Sequence, residues 1–307
     1  MGGLSVWVDL NAVGFVIIQS AVTAELARTG AIHWIRRALL GRRPGPIRVA
    51  LASGLLSTVL TNDAALIAVG PVVTHGVRRP HRVLLPALIA ANSIGAVTPL
   101  GNPQNAIVYS HYRLNAWDFL RVQAPVAAAL AIPGLAYALL QGGRLPSATG
   151  PPPSPKELAA ITVSAACLIA HVPLYLWFPP LMLGYAALRP RSIQGVDWVV
   201  VALLTTAVLI PHAVQWLGWH VRISDPYLSA LLLSQAISNV PTTVILLPGT
   251  EDWVGLLHGV TVGGFGTPVA SIANIIALRM AGGGLRPYAL TQASCLVLGT
   301  VAHYVAT

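Results

Sequence analysis

The sequence predicts an all-α polytopic membrane protein, and three observations carry that prediction. Of 307 residues, 55% are hydrophobic and only 9% are charged, with a mean hydropathy of +0.71. That is too little charge to cover a soluble domain of this size. Apolar stretches recur along the whole chain, each long enough to cross a hydrocarbon core of about 30 Å at ~1.5 Å per helical residue. The arginines fall mainly between these stretches. The formal net charge of +9 therefore reports topology under the positive-inside rule and argues against a nucleic-acid partner. Cys167 and Cys295 stand alone in apolar surroundings and read as packing residues. Residues 1–11 have no basic head, so no cleavable signal peptide is expected.

The first span runs over 6–31, with Asp9 at its head and Glu25 one turn before Arg28 near its inner end. The arginine-rich stretch 33–48 makes the next loop cytoplasmic and puts the amino terminus outside. Segment 49–74 is basic on both flanks, which a single crossing cannot satisfy. It is expected to be a re-entrant hairpin with Thr61-Asn62-Asp63 at its tip. A broken span over 83–109 follows, then a returning span over 117–140. The Pro/Ser-rich stretch 142–156 forms an inner linker that divides a first half (1–141) from a second (157–307).

The second half opens with two extra scaffold helices over 157–188. Its repeat unit, 196–307, holds a span at 196–217 and a second hairpin at 227–247 around Ser238-Asn239-Val240-Pro241-Thr242-Thr243. A second broken span over 254–281 and a last crossing over 288–304 leave the carboxyl terminus outside as well. The order helix, re-entrant hairpin, broken helix, helix thus occurs twice with opposite orientation, giving about eight spans plus two hairpins. Such an inverted repeat is the signature of secondary transporters with alternating access. Trp7, Trp34, Trp117, Trp177, Trp198, Trp216, Trp219 and Trp253 mostly fall at the expected interfaces, as an aromatic belt does.

The richest stretch is Asn92 to Asn105, in the middle of the first broken span. Pro99 and Pro103 each remove a backbone donor, and Gly95 and Gly101 permit unwinding. Lipid cannot satisfy the freed carbonyls, so the break must line a cavity enclosed by protein or water. The candidate ion- and substrate-binding residues are Thr61, Asn62 and Asp63 at the first tip and Thr98, Gly101, Asn102, Gln104 and Asn105 in the first break. Their counterparts are Ser238, Asn239, Thr242 and Thr243 at the second tip and Gly266, Thr267 and Asn274 about the second break. Asp63 is the carboxylate expected at membrane depth. Placing it there costs about 2.5–3.5 kcal/mol on insertion scales, so it should hold a proton or a cation, which makes it the coupling group. With Asn62, Asn102 and Asn239 it forms a candidate Na+ site; no other cofactor is expected. His171, His212 and His258 read as turn, interfacial or packing residues.

These residues resemble the ion transporter superfamily: Thr61-Asn62-Asp63-Ala64-Ala65, Asn92 to Asn105 with its Thr98-Pro99-Leu100-Gly101-Asn102-Pro103-Gln104-Asn105, and Ser238-Asn239-Val240-Pro241. Its members include citrate transporter-like proteins, arsenite/antimonite efflux pumps, certain sodium/proton antiporters and divalent-anion:sodium symporters. The resemblance implies two hairpin tips and two broken helices converging on one midplane site, with an elevator-like motion of that core against a scaffold. Larger members place two further helices ahead of the first unit, where this chain has only its first span. The second break, Gly263 to Pro268, is less polar than the superfamily pattern and is completed by Ser271 and Asn274.

The functional expectation is a secondary active transporter of the cytoplasmic membrane, moving a small anion or oxyacid coupled to H+ or Na+. A sodium/proton antiporter and an arsenite efflux permease are the alternatives. The expected partners are the solute, the bilayer and, as an open question, a second copy in a homodimer. No arginine lies in the expected core, which weighs against multiply charged carboxylates. A membrane-embedded enzyme is disfavoured, since the chain has no His-Glu-x-x-His and no second aspartate expected at membrane depth.

Overall fold

A computed structural model describes residues 10–31, 44–66, 79–142, 151–196 and 223–307, with isolated positions (34, 38, 69, 198, 201, 202, 205, 206 and 209) between them. Outside the described residues lie Trp7 and Asp9, much of the basic loop after the first span, and most of the first hairpin's return with its flank at 70–78. So do linker positions 143–150 and most of the expected span at 196–217, with Asp197, His212, Trp216 and Trp219.

The regular structure among the described residues is entirely helical. Helix α1 (Asn11–Thr29) is closed by Gly30 in the left-handed region (φ 76°). Helix α2 (Pro46–Ser57) starts on a proline, whose missing N–H costs nothing in a first turn. The chain then unwinds, and a second helical stretch begins at 62–66. Helix α3 (His81–Gly95) ends in an irregular stretch at 96–102, and α4 (Pro103–His111) restarts on Pro103. Helix α5 (Ala116–Leu139) is capped by Asn115, which accepts from the Trp117 N–H at 2.7 Å. Helix α6 (Pro155–Ile169) begins with a Ser154/Glu157 capping box, and α7 (Leu174–Leu188) runs through Pro179 and Pro180. A 3-10 turn follows at Pro190–Gly195.

Helix α8 (Pro226–Ile237) is capped by Asp225, and α9 (Asn239–Leu246) follows after the single residue Ser238. Helix α10 (Trp253–Gly263), capped by Asp252, is interrupted over 264–271, and the chain resumes as α11 (Ile272–Ala281). Helix α12 (Leu285–Ala306) closes the fold. The interruptions at 96–102 and 264–271 overlap the expected breaks, the second running three residues past Pro268. Among the described helices, α5 (24 residues) and α12 (22 residues) are apolar and long enough to cross a membrane by themselves.

Packing separates two groups of helices. Phe15, Ile18 and Val22 of α1 pack with residues of α4, α6, α7 and α10 in one apolar cluster. Another joins Val49 of α2, Leu84 and Leu88 of α3, Ala273 and Ala277 of α11 and Tyr288 of α12. Many large apolar side chains remain exposed, among them Leu183 on α7, Leu232 on α8 and Leu290, Val297 and Val301 on α12. Such surfaces suit lipid rather than water.

Glu25 is buried and meets Arg28 at 2.6 Å, as expected, and also Arg189 at 3.2 Å. Arg189 reaches Glu157 at 3.0 Å, so one ion-pair network ties α1 to α6 and to the end of α7. Between α4 and α5, Tyr112 donates to the Thr250 carbonyl at 2.6 Å. Burial, reinforced by Glu251 and Asp252, raises its phenol far above the ordinary tyrosine value, so it remains a donor. Trp177 departs from the aromatic-belt expectation. It is buried, and its indole N–H donates to Asn11 Oδ1 at 3.0 Å.

Candidate functional site

The two interruptions are built alike. In the first, Thr98 donates to the Thr58 carbonyl at 2.8 Å, and Asn105 Nδ2 donates to the carbonyls of Ala96 (3.0 Å) and Thr98 (2.9 Å). In the second, Thr267 donates to the Gln235 carbonyl at 2.8 Å, and Asn274 Nδ2 donates to those of Gly264 (3.0 Å) and Thr267 (3.1 Å). Each asparagine therefore satisfies two carbonyls that unwinding has freed. The residues before α4 and α11, Asn102 and Ser271, are both extended (φ −142° and −149°).

The tips dock on these breaks. The Asn62 N–H donates to the Gly101 carbonyl at 2.8 Å. A Cβ on Gly101 would lie 1.9 Å from the Gly95 carbonyl oxygen, so only glycine fits. Ser57 packs on Gly95 as Ser234 packs on Gly263. Ser238 holds φ 75°, a left-handed value uncommon for a residue with a side chain, where α8 gives way to α9.

A cavity of about 220 Å³ opens where these pieces meet. Its walls include Asn62, Asp63, Gln104, Ser238, Asn239 and Ser271, and none of the described residues that line it is basic. The first residues of four helical segments border it: Asn62 of 62–66, Pro103 of α4, Asn239 of α9 and Ile272 of α11. Each helix start presents N–H groups that lack an intrahelical partner, and with them a partial positive charge.

The remaining candidates lie behind or beside this wall. Thr61 borders a neighbouring cavity together with Asp63. Asn102 is buried, with its Oδ1 unbonded, and Asn105 Oδ1 is unbonded as well. Thr98, Asn105 and Asn274 hold the breaks together, while Thr243 bonds back to the Asn239 carbonyl at 2.7 Å. Thr242 is buried outside the cavity lining, and its hydroxyl is unbonded. Gly266 (φ 104°) and the exposed Thr267 lie away from the cavity. They are held there by Gln292 and Gln235, which accept their N–H groups at 3.1 and 3.0 Å.

Asn92 stands outside the candidate set, yet it links the halves. Asn62 Nδ2 donates to Asn92 Oδ1 at 2.7 Å, and Asn92 Nδ2 donates to Asn274 Oδ1 at 3.4 Å. The signal for this was one amide directly after the apolar run 83–91. The shared spacing of Thr98-Pro99 with Asn105 and of Thr267-Pro268 with Asn274 was a second readable signal. His258 is buried and meets His303, Nδ1 to Nδ1, at 3.0 Å, while His171 turns the chain at φ 51° and stacks on Tyr109. Neither histidine lines the cavity.

Unwound polar backbone enclosed within a lipid-facing helical bundle is a membrane transporter's way of meeting its solute. The comparisons with known proteins agree, and the chain belongs to the citrate transporter family, whose model matches residues 1–258. It is 33% identical over 272 residues to the Inner membrane protein YbiR of Escherichia coli, covering 80% of this chain and 72% of that protein. Identity is 26% over 251 residues to the Uncharacterized transporter MJ0456 of Methanocaldococcus jannaschii, covering 75% and 69%. A shorter match, 34% over 80 residues, is to the Putative transporter arsB of Dictyostelium discoideum, covering 25% and 14%.

Proposed function

We propose that this membrane transporter is a secondary active carrier of a small anion or oxyacid, coupled to H+ or Na+ through Asp63. One observation carries the reading: four helix amino termini border a single cavity that also holds one carboxylate. Helix starts carry partial positive charge, so their convergence favours an anion with no arginine among the described lining residues. A carboxylate beside an anion site suits coupling to a proton or a cation. The Asn62, Asp63, Asn102 and Asn239 side chains supply oxygens suited to Na+.

Alternating access follows from an inverted repeat of 1–141 and 157–307 about the 142–156 linker, with the core moving elevator-like against α1, α6 and α7. The paired hydrogen bonds of the two breaks support the repeat. Re-entrance of the second hairpin is supported by length. At about 1.5 Å per residue, α8 with 12 residues and α9 with 8 each fall short of a ~30 Å core.

The test is flux into proteoliposomes of labelled citrate, succinate, sulfate and arsenite under an imposed Na+ or pH gradient. Gradient-driven flux of one of these, lost in Asp63→Asn while the variant still folds, is the expected result. Undiminished coupled flux in that variant would overturn the assignment. The lack of a basic residue among the described residues lining the cavity favours a second reading, efflux of a neutral oxyacid, which the arsenite arm separates.

A further inference from the structure

We propose that Gln235 on α8 is a positioning residue of the solute cavity: its carboxamide fastens the second hairpin to the second break and so sets the spacing between two parts of the cavity wall. The inference rests on the solute-site reading above and names a residue that shapes the wall from behind. Ser238 and Asn239 line the cavity from the tip, and Ser271 and Ile272 line it from the end of the break. Gln235 stands in the last turn of α8, three residues before Ser238.

Four hydrogen bonds join this one residue to the break. Its Nε2 donates to the carbonyls of Gly263 at 2.8 Å and Phe265 at 3.0 Å, and its Oε1 accepts the Thr267 N–H at 3.0 Å. Its main-chain carbonyl accepts the Thr267 hydroxyl at 2.8 Å. A longer bond from Nε2, 3.3 Å, returns to the Leu231 carbonyl within α8. The approach is close enough that a Cβ on Gly266 would run into Gln235 Oε1. From the break the bonds continue to the cavity wall. The Thr267 carbonyl accepts from Asn274 Nδ2 at 3.1 Å, and Asn274 sits in the first turn of α11, directly after Ser271 and Ile272. A displacement of Thr267 is therefore passed to the wall through Asn274.

The first half does without this fastener at the matching position. Thr58 stands four residues before Asn62, as Gln235 stands four before Asn239. Its main-chain carbonyl likewise accepts a threonine hydroxyl from its break, that of Thr98 at 2.8 Å. The Thr58 hydroxyl, however, donates back to the Leu55 carbonyl at 2.7 Å. The first hairpin is tied at the tip itself, where the Asn62 N–H donates to the Gly101 carbonyl and Asn62 Nδ2 donates to Asn92 Oδ1. The Gln235 carboxamide is thus an addition to the common frame. It spends both its donor and its acceptor capacity on one short stretch of unwound backbone, so its loss strands two carbonyls and an N–H together.

The test reads the two halves of the wall directly. Thiols are placed singly by Ser271→Cys, on the part that Gln235 holds, and by Gln104→Cys, on the part contributed by the first half. Their modification by methyl methanethiosulfonate is followed site by site, by mass spectrometry, on the purified full-length chain in detergent. Gln235→Leu should speed modification at position 271 about tenfold and leave position 104 within about twofold of its parent. Gln235→Asn, a methylene too short to span the same groups, and Thr267→Val, which removes only the hydroxyl bond, should act the same way by less. These two carry the measurement if Gln235→Leu does not yield monodisperse protein. Thr58→Val should leave both positions unchanged. Unaltered modification at position 271 would overturn the proposal, as would an equal rise at both positions, which marks general loosening. In gradient-driven flux, Gln235→Asn should raise the apparent KM several-fold with kcat within about threefold, and a lost kcat at unchanged KM would also overturn it. Absence of flux in the wild type would count against the coupled-carrier reading alone, because the thiol probes decide the role of Gln235 without it.

Discussion

The two breaks share a frame and differ in what they carry. Thr98 with Asn105, and Thr267 with Asn274, make the same pattern of bonds, so these four residues hold unwound backbone in place rather than choose a solute. At matched positions inside the frames, the first break has Gly101-Asn102-Pro103-Gln104 and the second has Ala270-Ser271-Ile272-Ala273. The tips differ in the same sense: Asn62 is followed by Asp63, whereas Asn239 is followed by Val240. Geometry is duplicated and charge is not. On the proposed reading, a carrier of this kind would keep two matching frames while confining its coupling chemistry to one.

The largest effect should come from forcing the halves to match. Gly101→Ala places a methyl 1.9 Å from the Gly95 carbonyl oxygen, which backbone cannot yield. The expected outcome is loss of monodisperse protein on size exclusion, a penalty of more than about 3 kcal/mol. The reciprocal change, Ala270→Gly, should cost only about 1 kcal/mol.

Asn105→Leu and Asn274→Leu should come next and resemble each other. Each strands two buried carbonyls and should cost about 2–4 kcal/mol, read as lowered chemical-denaturation midpoints. A large cost in one and none in the other would undo the common-frame comparison. Asp63→Asn should separate the halves by function instead. Coupled flux falls to background while the unfolding temperature changes little, and Val240→Asn leaves coupling in place. The smallest effect is expected for Thr243→Val, which removes one local helix bond at a cost within about 1 kcal/mol.

The helical class and the order of the elements are legible because composition and prolines act locally. Pro46, Pro103, Pro155 and Pro226 each open a helix, and the Gly95 to Pro103 stretch ends one. The roles inside the candidate site are less legible. Asn102, Asn105, Thr242 and Asn274 look alike as polar residues in an apolar chain. Only folding puts Gln104 on the cavity wall and sets these four behind it, where Asn105 and Asn274 spend their amides on neighbouring carbonyls. Asn92 and Asn274 meet across 182 positions, and His258 and His303 across 45, separations at which no local pattern survives. Trp177 reads as a belt residue until Asn11 is found beside it.

The four helix starts around the cavity have a consequence for how such a carrier can diversify. An attraction that resides in peptide groups has no side chain to substitute and no proton to lose. If the proposed anion reading holds, replacing Gln104, Ser238 or Ser271 should reshape what fits while leaving the backbone's attraction in place. On the proposed reading, the sign of the cargo would be inherited with the backbone, and its identity left to a handful of interchangeable neighbours.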